Sequence, residues 1–352
     1  MKFNKTIQIQ SRIISDTSPT FIIAEAGVNH CGTIEIAKKL IDIACGAKAD
    51  AVKFQTFHAE HLLLKKVKKA PYQESTTSEN ESQFEMLKKL EFDKEQHQEL
   101  KRYCEEKKII FLTTPFDEIS LEQLEELNIP AYKISSSDIT NLPFLKKIAM
   151  RKKPIFLSTG MTYLEEIELA LREIYPLNKD IVLFQCSSNY PLQDDEANLN
   201  VINKFKKHFD MLIGYSDHTV GIGAAPYAVS MGTKVIEKHF TVDKNLEGPD
   251  HRASLNPEEL IILVQEIRKV ERYLGKSLKM PTLSEIRNRS LLQKCFVAAC
   301  DIKKGEIFNE DNIIAKRTGG EGISPIYYDK LVGKKASKGI KKNEIISVKA
   351  FE

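Results

Sequence analysis

Several short apolar segments of this sequence end in side chains that can bind ions or transfer protons. Two of them end in the histidines His218 and His239, and two others end in the lysines Lys53 and Lys133. Two imidazoles without a cysteine partner suit a divalent transition metal with open coordination positions. A buried ammonium group needs an anion beside it. These residue types predict a metal site and an anion site, and the alternative to the metal site is a pair of hydrogen-bonded histidines.

Hydroxyl and carboxyl groups end further segments of the same kind. The hydroxyls are those of Thr114, Ser136, Ser158, Ser188 and Ser216. With the two lysines they fit a phosphate or a phosphorylated carboxylate held without a P-loop, whereas capping of helix starts is the alternative. The carboxylates are those of Glu25, Asp138, Asp217, Glu237 and Asp250. They are candidates for acid–base chemistry, and the spacing does not choose among them.

Strand-like and helix-like segments alternate along the chain. The predicted strands are Phe21–Gly27, Ala51–Phe57, Ile109–Phe116, Ala131–Asp138, Pro154–Gly160, Ile181–Ser188, Leu212–Thr219 and Val235–Thr241. The predicted helices include Ile34–Lys48, Asp93–Lys107, Tyr163–Tyr175, Leu199–Phe209 and Pro257–Leu274, in which apolar residues recur every three or four positions. Eight such units predict an α/β fold, a closed (β/α)8 TIM barrel. An open doubly wound sheet is the alternative, and the missing glycine-rich dinucleotide fingerprint disfavours it.

Strand periodicity places the polar residues on one face. Residues two apart on a strand point to the same side, so Lys53 shares a face with Gln55, Ser216 with His218, and Glu237 with His239. If these faces point inward, the polar strand ends meet at the rim of the barrel where barrel enzymes have their sites. The sequence therefore predicts one site at that rim.

The pattern of residue types along the chain changes after Gly275. We predict a barrel domain over residues 1–275, a polar linker over 276–293 and a small β-rich module over 294–352. Within the module, Asp301–Phe308 resembles Gly339–Ile346, and both place a Lys-Lys-Gly/Asn-Glu turn between apolar flanks. This predicts an internal pseudo-repeat. A module of this size is marginal alone and is expected to dock on another surface.

Composition excludes several classes of protein. The 352 residues carry 52 basic and 49 acidic side chains, a net charge of +3, which disfavours a nucleic-acid partner. No run approaches the ~18 apolar residues of a membrane span, and no secretory signal opens the sequence. The 6 cysteines have no CxxC spacing, so reduced thiols and a cytoplasmic location are expected.

Four further features lie outside the strand ends. His97 and His208 fall in charged helical contexts and are predicted to be solvated, and no activating base is evident near Cys31. The long segment of residues 58–83, with four lysines between positions 65 and 69, is predicted to be either a lid or disordered. A solvated face is the ordinary reading of those lysines, and recruitment of an anionic substrate is the alternative.

The order of the motifs resembles the sialic acid synthases. The motifs are Ala24-Glu25-Ala26-Gly27-Val28-Asn29-His30, Val52-Lys53-Phe54-Gln55, Thr114-Pro115-Phe116, Tyr132-Lys133-Ile134, Leu157-Ser158-Thr159-Gly160-Met161, Gly214-Tyr215-Ser216-Asp217-His218-Thr219 and Glu237-Lys238-His239-Phe240. The C-terminal segment resembles the family's antifreeze-like SAF (β-clip) domain through Lys316-Arg317 and Leu331-Val332-Gly333-Lys334-Lys335-Ala336. Ala70-Pro71-Tyr72-Gln73 and Gly248-Pro249-Asp250-His251 are most similar to the N,N'-diacetyllegionaminate synthase branch.

The resemblance implies an activity and a role for each matching residue. The activity is condensation of phosphoenolpyruvate with 2,4-diacetamido-2,4,6-trideoxymannose, giving N,N'-diacetyllegionaminate and phosphate. A divalent metal, manganese with magnesium or cobalt as alternatives, would be held by His218 and His239. Phosphoenolpyruvate would be bound by Lys53, Thr114, Lys133, Ser136, Ser158, Ser188 and Ser216, and the sugar by Gln55, Tyr190, Asp250 and Arg317. Glu25 and Asp138 would be catalytic and would assist water addition and proton transfer.

The sequence departs from the family pattern at three places. The usual Gly-Ser-Gly-Glu is Ser135-Ser136-Ser137-Asp138, an asparagine common in the sialic branch is Ser188, and Lys-Arg-Pro-Gly is Lys316-Arg317-Thr318-Gly319. The first two give a shorter acid at Asp138 and a hydroxyl in place of an amide at Ser188.

Other functions and the assembly are also expectations at this point. The alternatives are an N-acetylneuraminate synthase that uses N-acetylmannosamine, another phosphoenolpyruvate aldol enzyme, and a non-catalytic carbohydrate-binding barrel. A domain-swapped homodimer is expected, with the module of one subunit at the barrel of the other.

Overall fold

The computed structural model describes residues 1–74, 76–78 and 81–350. The chain divides into two compact units, Met1–Gly275 and Lys276–Glu352. The predicted linker over residues 276–293 begins the second unit, and most of it forms a helix, Leu283–Leu292.

A barrel of eight parallel strands forms the first unit, which confirms the predicted TIM-barrel fold. The strands are β3 (Phe21–Gly27), β4 (Ala51–Thr56), β5 (Ile110–Pro115), β6 (Tyr132–Ile134), β7 (Ile155–Ser158), β8 (Ile181–Cys186), β9 (Leu212–Asp217) and β10 (Val235–His239). Their order is β5-β4-β3-β10-β9-β8-β7-β6, so β10 pairs with β3 and the sheet curls round on itself. Strands β5 and β6 lie side by side, without a hydrogen-bonded ladder among the described residues.

The inner face of the barrel changes from apolar to polar along each strand. Phe21 and Ile23 of β3 and Ala51 of β4 belong to the apolar cluster inside the barrel, whereas Glu25 and Lys53, two residues further along, line a cavity. The residues between them, such as Ile22 and Val52, belong to the outer apolar cluster against the helices. Because side chains alternate along each strand, the inside of the barrel is apolar at its base and polar at its mouth.

A hairpin at the N-terminus contributes to the apolar base of the barrel. The sequence pattern did not predict this hairpin. Strands β1 (Thr6–Ile9) and β2 (Arg12–Ser15) pair antiparallel. Three of their isoleucines are fully buried in the inner apolar cluster: Ile7, Ile9 and Ile14.

Helices surround the barrel and connect its strands. They are α1 (Ile34–Gly46), α2 (Ala59–Leu62), α3 (Pro71–Glu74), α4 (Gln83–Lys88), α5 (Lys94–Lys107), α6 (Glu118–Glu126), α7 (Leu142–Met150), α8 (Leu164–Ile174), α9 (Asn200–His208), α10 (Ala225–Ser230) and α11 (Pro257–Leu274). Their starts follow capping chemistry: Asp93 opens α5 and Asn256 opens α11 in capping boxes. No helix of the described residues is long and apolar enough to cross a membrane.

The second unit contains helices α12 (Leu283–Leu292) and α13 (Tyr328–Leu331) and a hairpin of β11 (Lys294–Ala298) and β12 (Ile313–Arg317). The predicted pseudo-repeat is confirmed. Its halves pair with each other, because Ile302 and Ile340 exchange backbone hydrogen bonds of 2.8 and 2.9 Å. In each half the turn glutamate, Glu306 or Glu344, accepts a hydrogen bond from the backbone amide three residues earlier, at 2.8 and 2.9 Å.

Two predictions about solvated groups were wrong or incomplete. His97 is 1% exposed. Its burial is possible because both ring nitrogens have partners: Asp93 O lies 2.8 Å from Nδ1 and Thr56 Oγ1 lies 2.7 Å from Nε2. His208 is exposed, as predicted. In the long segment after β4, Lys69 is buried and donates to Thr77 at 2.8 Å. This lysine has a structural contact, so it is not part of a solvated face.

Candidate functional site

A cavity of about 420 Å³ opens at the C-terminal ends of the barrel strands. Every predicted site residue except Asp138 and Arg317 lines it: Glu25, Lys53, Gln55, Thr114, Lys133, Ser136, Ser158, Ser188, Tyr190, Ser216, His218, His239 and Asp250. They come from all eight strands or from the turns directly after them. The predicted inward faces of Lys53–Gln55, Ser216–His218 and Glu237–His239 are therefore confirmed.

Four charged groups form a buried cluster at the floor of this cavity. Lys53 Nζ lies 2.8 Å from Glu25 and 3.8 Å from Glu237, and Lys133 Nζ lies 3.4 Å from Glu237. All four side chains are at most 5% exposed. Ser216 donates to Glu237 at 3.0 Å. Glu237 therefore lies between two ammonium groups, while Glu25 contacts only one of them directly.

The two carboxylates of this cluster ionise differently. Burial raises the pKa of Glu25 to about 7, although Lys53 opposes the shift. Burial also opposes ionisation of Glu237, but Lys133, Lys53 and the Ser216 hydroxyl outweigh it and hold the pKa of Glu237 below its ordinary value. Burial lowers the pKa of Lys53, and the carboxylates Glu237 and Glu25 more than compensate, so its pKa is raised.

The cluster has an excess of positive charge when Glu25 is protonated. Two ammonium groups then face the single carboxylate of Glu237. The other groups to which they donate are neutral: the Ile134 carbonyl, 3.5 Å from Lys133, and two hydroxyls. Lys53 donates to Thr114 at 3.0 Å and Lys133 donates to Ser158 at 2.7 Å. Hydroxyls and ammonium groups of this kind are donors for a phosphate or carboxylate, so the floor of the cavity is suited to bind an anion.

Two neutral imidazoles lie beside this floor. His218 Nδ1 donates to the Ser187 carbonyl at 2.7 Å, because a carbonyl only accepts, and Nε2 keeps its lone pair. Burial lowers the pKa of His218 to about 4 and that of His239 well below its ordinary value. The ring centroids are 5.5 Å apart, and His239 Nδ1 is buried without a hydrogen-bond partner, 3.7 Å from Asp250 Oδ2.

This pair fits two ligands of a divalent metal. Neutral imidazole is the ligand form of histidine, and the unpartnered nitrogen of His239 is buried at the cavity. Among the described residues, no group of three or more His, Cys, Asp and Glu side chains is arranged to hold a metal. Two protein nitrogens would thus leave several coordination positions open, as expected of a catalytic site.

The residues predicted to bind the sugar form one side of the cavity. Tyr190 packs on His218 with ring centroids 4.1 Å apart and on His239 at 5.5 Å. Gln55 Nε2 is 3.4 Å from Glu25. Burial raises the pKa of Asp250 to about 6, against the effect of Lys53. Arg317 ends β12 in the second unit, where its side chain is exposed.

Asp138 does not line the cavity. It lies in a short 3₁₀ helix, Ser136–Asp138, directly after β6, and its carboxylate accepts hydrogen bonds from Asn141 Nδ2 at 3.3 Å and Ser137 Oγ at 3.4 Å. Burial raises its pKa. The backbone turn directs the serines of this motif into the cavity and the acid into the neighbouring helix start, so Glu25 is the predicted catalytic acid that lines the cavity.

Some neighbouring residues have roles that the sequence left open. Asp217 orients its loop, because it accepts hydrogen bonds from Thr219 Oγ1 at 2.7 Å and Ala225 N at 3.1 Å. Glu237, for which no role was chosen, is central to the charge cluster. Tyr72 also lines the cavity, although only its motif had been noticed. The alternation of side chains along a strand identifies Glu237 as a cavity residue, whereas no local sequence pattern identifies Tyr72.

The expectation for Cys31 was wrong in one respect, since an imidazole is close to it. Cys31 Sγ lies 3.3 Å from His251 Nε2. Burial raises the pKa of the thiol and lowers the pKa of His251 to about 4. The pair is therefore a neutral thiol–imidazole contact, because both shifts disfavour the thiolate–imidazolium form.

Comparisons with known proteins find similar chains over nearly the whole length of this one. The NeuB family model matches residues 40–279 and the SAF domain model matches residues 293–352. The N,N'-diacetyllegionaminic acid synthase of Campylobacter jejuni is 48% identical over 330 residues, covering 93% of this chain and 98% of that protein. The protein of the same name from Legionella pneumophila is 43% identical over 322 residues, 90% of each. The crystal structure of the Bacillus subtilis spore coat polysaccharide biosynthesis protein SpsE is 36% identical, with a TM-score of 0.67 over 99% of both chains.

The raised pKa of Glu25 makes the stability of the barrel depend on pH. The carboxyl has a pKa of about 7 in the folded protein, against an ordinary value of 4.5. Its contribution to stability is fully present below the unfolded value and is lost as the pH rises through the folded value. We expect the free energy of unfolding of the wild-type protein to fall relative to that of Glu25→Gln between about pH 5 and about pH 8, because glutamine does not titrate.

Urea unfolding of both proteins at the two pH values measures this difference. Glu165→Gln, at an exposed position of α8, is the matched control for replacing an acid by an amide. The same pH dependence in the wild-type protein and in Glu25→Gln would contradict the raised pKa.

Proposed function

The chain belongs to the NeuB family, and from this premise we propose that the enzyme condenses phosphoenolpyruvate with an N-acylated mannose-type sugar and releases phosphate. One observation carries the proposal: two buried lysines flanked by hydroxyl donors lie in the same cavity as two neutral imidazoles. The lysines fit the doubly anionic substrate, and the imidazoles fit the carbonyl end of the sugar.

Phosphoenolpyruvate binds on the floor of the cavity in this proposal. Its phosphate and carboxylate take the hydrogen bonds that Lys53 and Lys133 now give to Thr114 and Ser158, and Ser136 and Ser216 add further hydroxyls. Ser188 occupies the position of a family asparagine and supplies a shorter donor. The phosphate and the carboxylate of the substrate are attracted by the two ammonium groups of the cluster.

The reaction joins the enol carbon of phosphoenolpyruvate to the aldehyde carbon of the open-chain sugar. Water then adds to the resulting cation, and the tetrahedral adduct releases phosphate. Glu25 is the group suited to move the proton of that water, because an acid with a pKa of about 7 exchanges protons readily near neutral pH. Gln55, Tyr190 and Asp250 hold the sugar beside it.

His218 and His239 would hold a divalent metal, manganese with magnesium or cobalt as alternatives. Such an ion, when bound, polarises a carbonyl oxygen as a Lewis acid. The chain prepares for this by keeping both imidazoles neutral through burial and by fixing the ring of His218 through the Ser187 carbonyl.

We propose 2,4-diacetamido-2,4,6-trideoxymannose as the sugar, and N,N'-diacetyllegionaminate as the product. The names of the Campylobacter jejuni and Legionella pneumophila relatives support this choice. The two branch-like motifs also lie at the cavity, since Ala70, Tyr72, Gln73, Pro249 and Asp250 line it. N-acetylmannosamine, which would make the protein an N-acetylneuraminate synthase, is the alternative.

The proposed function is tested by phosphate release from phosphoenolpyruvate with a panel of acylated mannosamine sugars. We expect kcat/KM to be highest for the diacetamido trideoxy sugar and at least about 10-fold lower for N-acetylmannosamine, because missing or mismatched substituents cost binding energy in the transition state. Both sugars are compared at the same metal and phosphoenolpyruvate concentrations. A preference for N-acetylmannosamine would assign the enzyme to the sialic branch, and no phosphate release with any sugar would overturn the proposal.

Removal of either imidazole is expected to abolish metal-dependent turnover. His218→Ala and His239→Ala should reduce phosphate release by more than about 100-fold, since polarisation of the carbonyl contributes several kcal/mol. Both variants should also retain less manganese after dialysis, measured by elemental analysis. His208→Ala, which removes an exposed histidine, is the control. Full activity of either variant after exhaustive chelation would contradict the role of the pair.

We also propose a homodimer in which the C-terminal unit of one subunit completes the barrel site of the other. Helix α12 has no buried residue, and its apolar side chains Leu283, Leu291 and Leu292 are 87%, 60% and 52% exposed. Apolar surface of this kind favours association. In this assembly Arg317 would reach the sugar as a planar donor for hydroxyl or acyl oxygens.

Mixing two inactive variants tests the shared site. His218→Ala removes a barrel residue and Arg317→Ala removes a residue of the C-terminal unit, so exchange of subunits should produce dimers with one intact site. We expect mixed dimers to recover up to about half of the wild-type activity, because one of the two sites is complete. Lack of recovery despite subunit exchange, demonstrated by native mass spectrometry, would mean that each chain completes its own site.

A further inference from the structure

An aromatic stack extends away from the paired imidazoles. The ring of Tyr190 lies on His218, with centroids 4.1 Å apart. The ring of Tyr72 lies in turn on Tyr190, with centroids 5.0 Å apart and an angle of 38° between the planes. A sugar whose carbonyl end lies at the imidazoles therefore meets Tyr190 first, and Tyr72 at the end far from the reacting carbon.

Tyr72 belongs to a part of the chain that we call the cap segment, residues 58–74, 76–78 and 81–90, between β4 and α5. Besides Tyr72, its apolar residues Leu62, Ala70 and Leu87 line the cavity. The segment is joined to the loop that carries Asp250 by a hydrogen bond of 3.4 Å from Thr76 Oγ1 to the Pro249 carbonyl. The cap segment thus supplies one wall of the cavity at the distal end of the aromatic stack.

The polar groups of this wall are largely used within the segment. The side-chain oxygen of Gln73 accepts hydrogen bonds from Ala70 N and from Gln83 Nε2, both at 3.0 Å. Gln73 Nε2 is 3.4 Å from the Tyr72 hydroxyl, and the Gln73 side chain is buried. A sugar hydroxyl placed against this wall would exchange water for few partners, which is costly. A methyl group there would gain apolar contact.

We propose that Tyr72 is a specificity-determining residue, whose ring, held on Tyr190, receives the methyl groups at the distal end of the sugar. These are the deoxy methyl and the second acyl methyl that N-acetylmannosamine lacks. This inference rests on the proposed function and deepens it, because it assigns the choice between acylated sugars to the cap segment. The anion-binding floor and the imidazoles are common to all such sugars and do not discriminate between them.

Replacement of Tyr72 tests the assignment through a ratio. In Tyr72→Ala, kcat/KM for the diacetamido trideoxy sugar divided by kcat/KM for N-acetylmannosamine should fall by about 10- to 100-fold, the range expected for lost apolar contacts in a specificity pocket. KM for phosphoenolpyruvate should not change. Tyr72→Phe keeps the ring and should keep the wild-type ratio. Tyr227→Ala, at an exposed tyrosine of α10, is the control for tyrosine removal.

Two checks make the outcome decisive. Thermal unfolding shows whether Tyr72→Ala is folded; if it is not, Leu87→Ala removes a contact from the same wall and should lower the ratio in the same direction. A wild-type enzyme that releases phosphate with neither sugar would overturn the proposed function, and this inference with it. An active wild-type enzyme whose folded Tyr72 or Leu87 variant loses activity equally with both sugars would overturn this inference alone.

Discussion

Two ammonium groups, those of Lys53 and Lys133, are buried at the mouth of the barrel, and an unpaired buried charge costs several kcal/mol. The arrangement of the other site residues follows from how the fold compensates for these two buried charges. Across the parallel ladders, Glu25 is the register partner of both Lys53 and His239, and Glu237 is the partner of Ser216. Pairing of strands therefore also pairs charges. A one-residue slip would turn the ammonium of Lys53 into the outer apolar layer.

The same pairing makes the two carboxylates unequal. Glu237 is held ionised by two ammonium groups and a hydroxyl, whereas Glu25 is buried beside one lysine and has a pKa of about 7. One carboxylate is thus a fixed counter-charge, and the other can gain or lose a proton near neutral pH. When Glu25 is protonated, the cluster has a positive excess without a solvent-exposed cation, so the anion site that we propose is compatible with a net charge of only +3.

Sequence alone predicted the barrel, its strands and most of the residues that line the cavity, because all three follow from local patterns. Strand period and strand order are enough to bring Glu25, Lys53, Ser216 and His239 to one rim. Contacts between distant segments were missed: the β1–β2 hairpin under the barrel, Thr56 with His97, and Cys31 with His251. Asp138 lies outside the cavity for a local reason, since the 3₁₀ turn after β6 turns its carboxylate to Asn141, and strand alternation does not apply there. Its catalytic role stays a prediction.

The distribution of contacts also determines which parts of this site can change without disturbing the charge cluster. A change in the charge cluster leaves a buried partner unpaired, so its residues constrain one another and the chemistry stays the same. The cap segment differs, because Gln73 hydrogen-bonds mainly within the segment and Tyr72 packs on Tyr190 and not on the charge cluster. The residues of the cap segment that line the cavity can therefore be replaced without leaving a charge of the buried cluster unpaired. A fixed floor with an exchangeable wall is the arrangement that lets one condensation reaction serve sugars that differ only at their distal substituents.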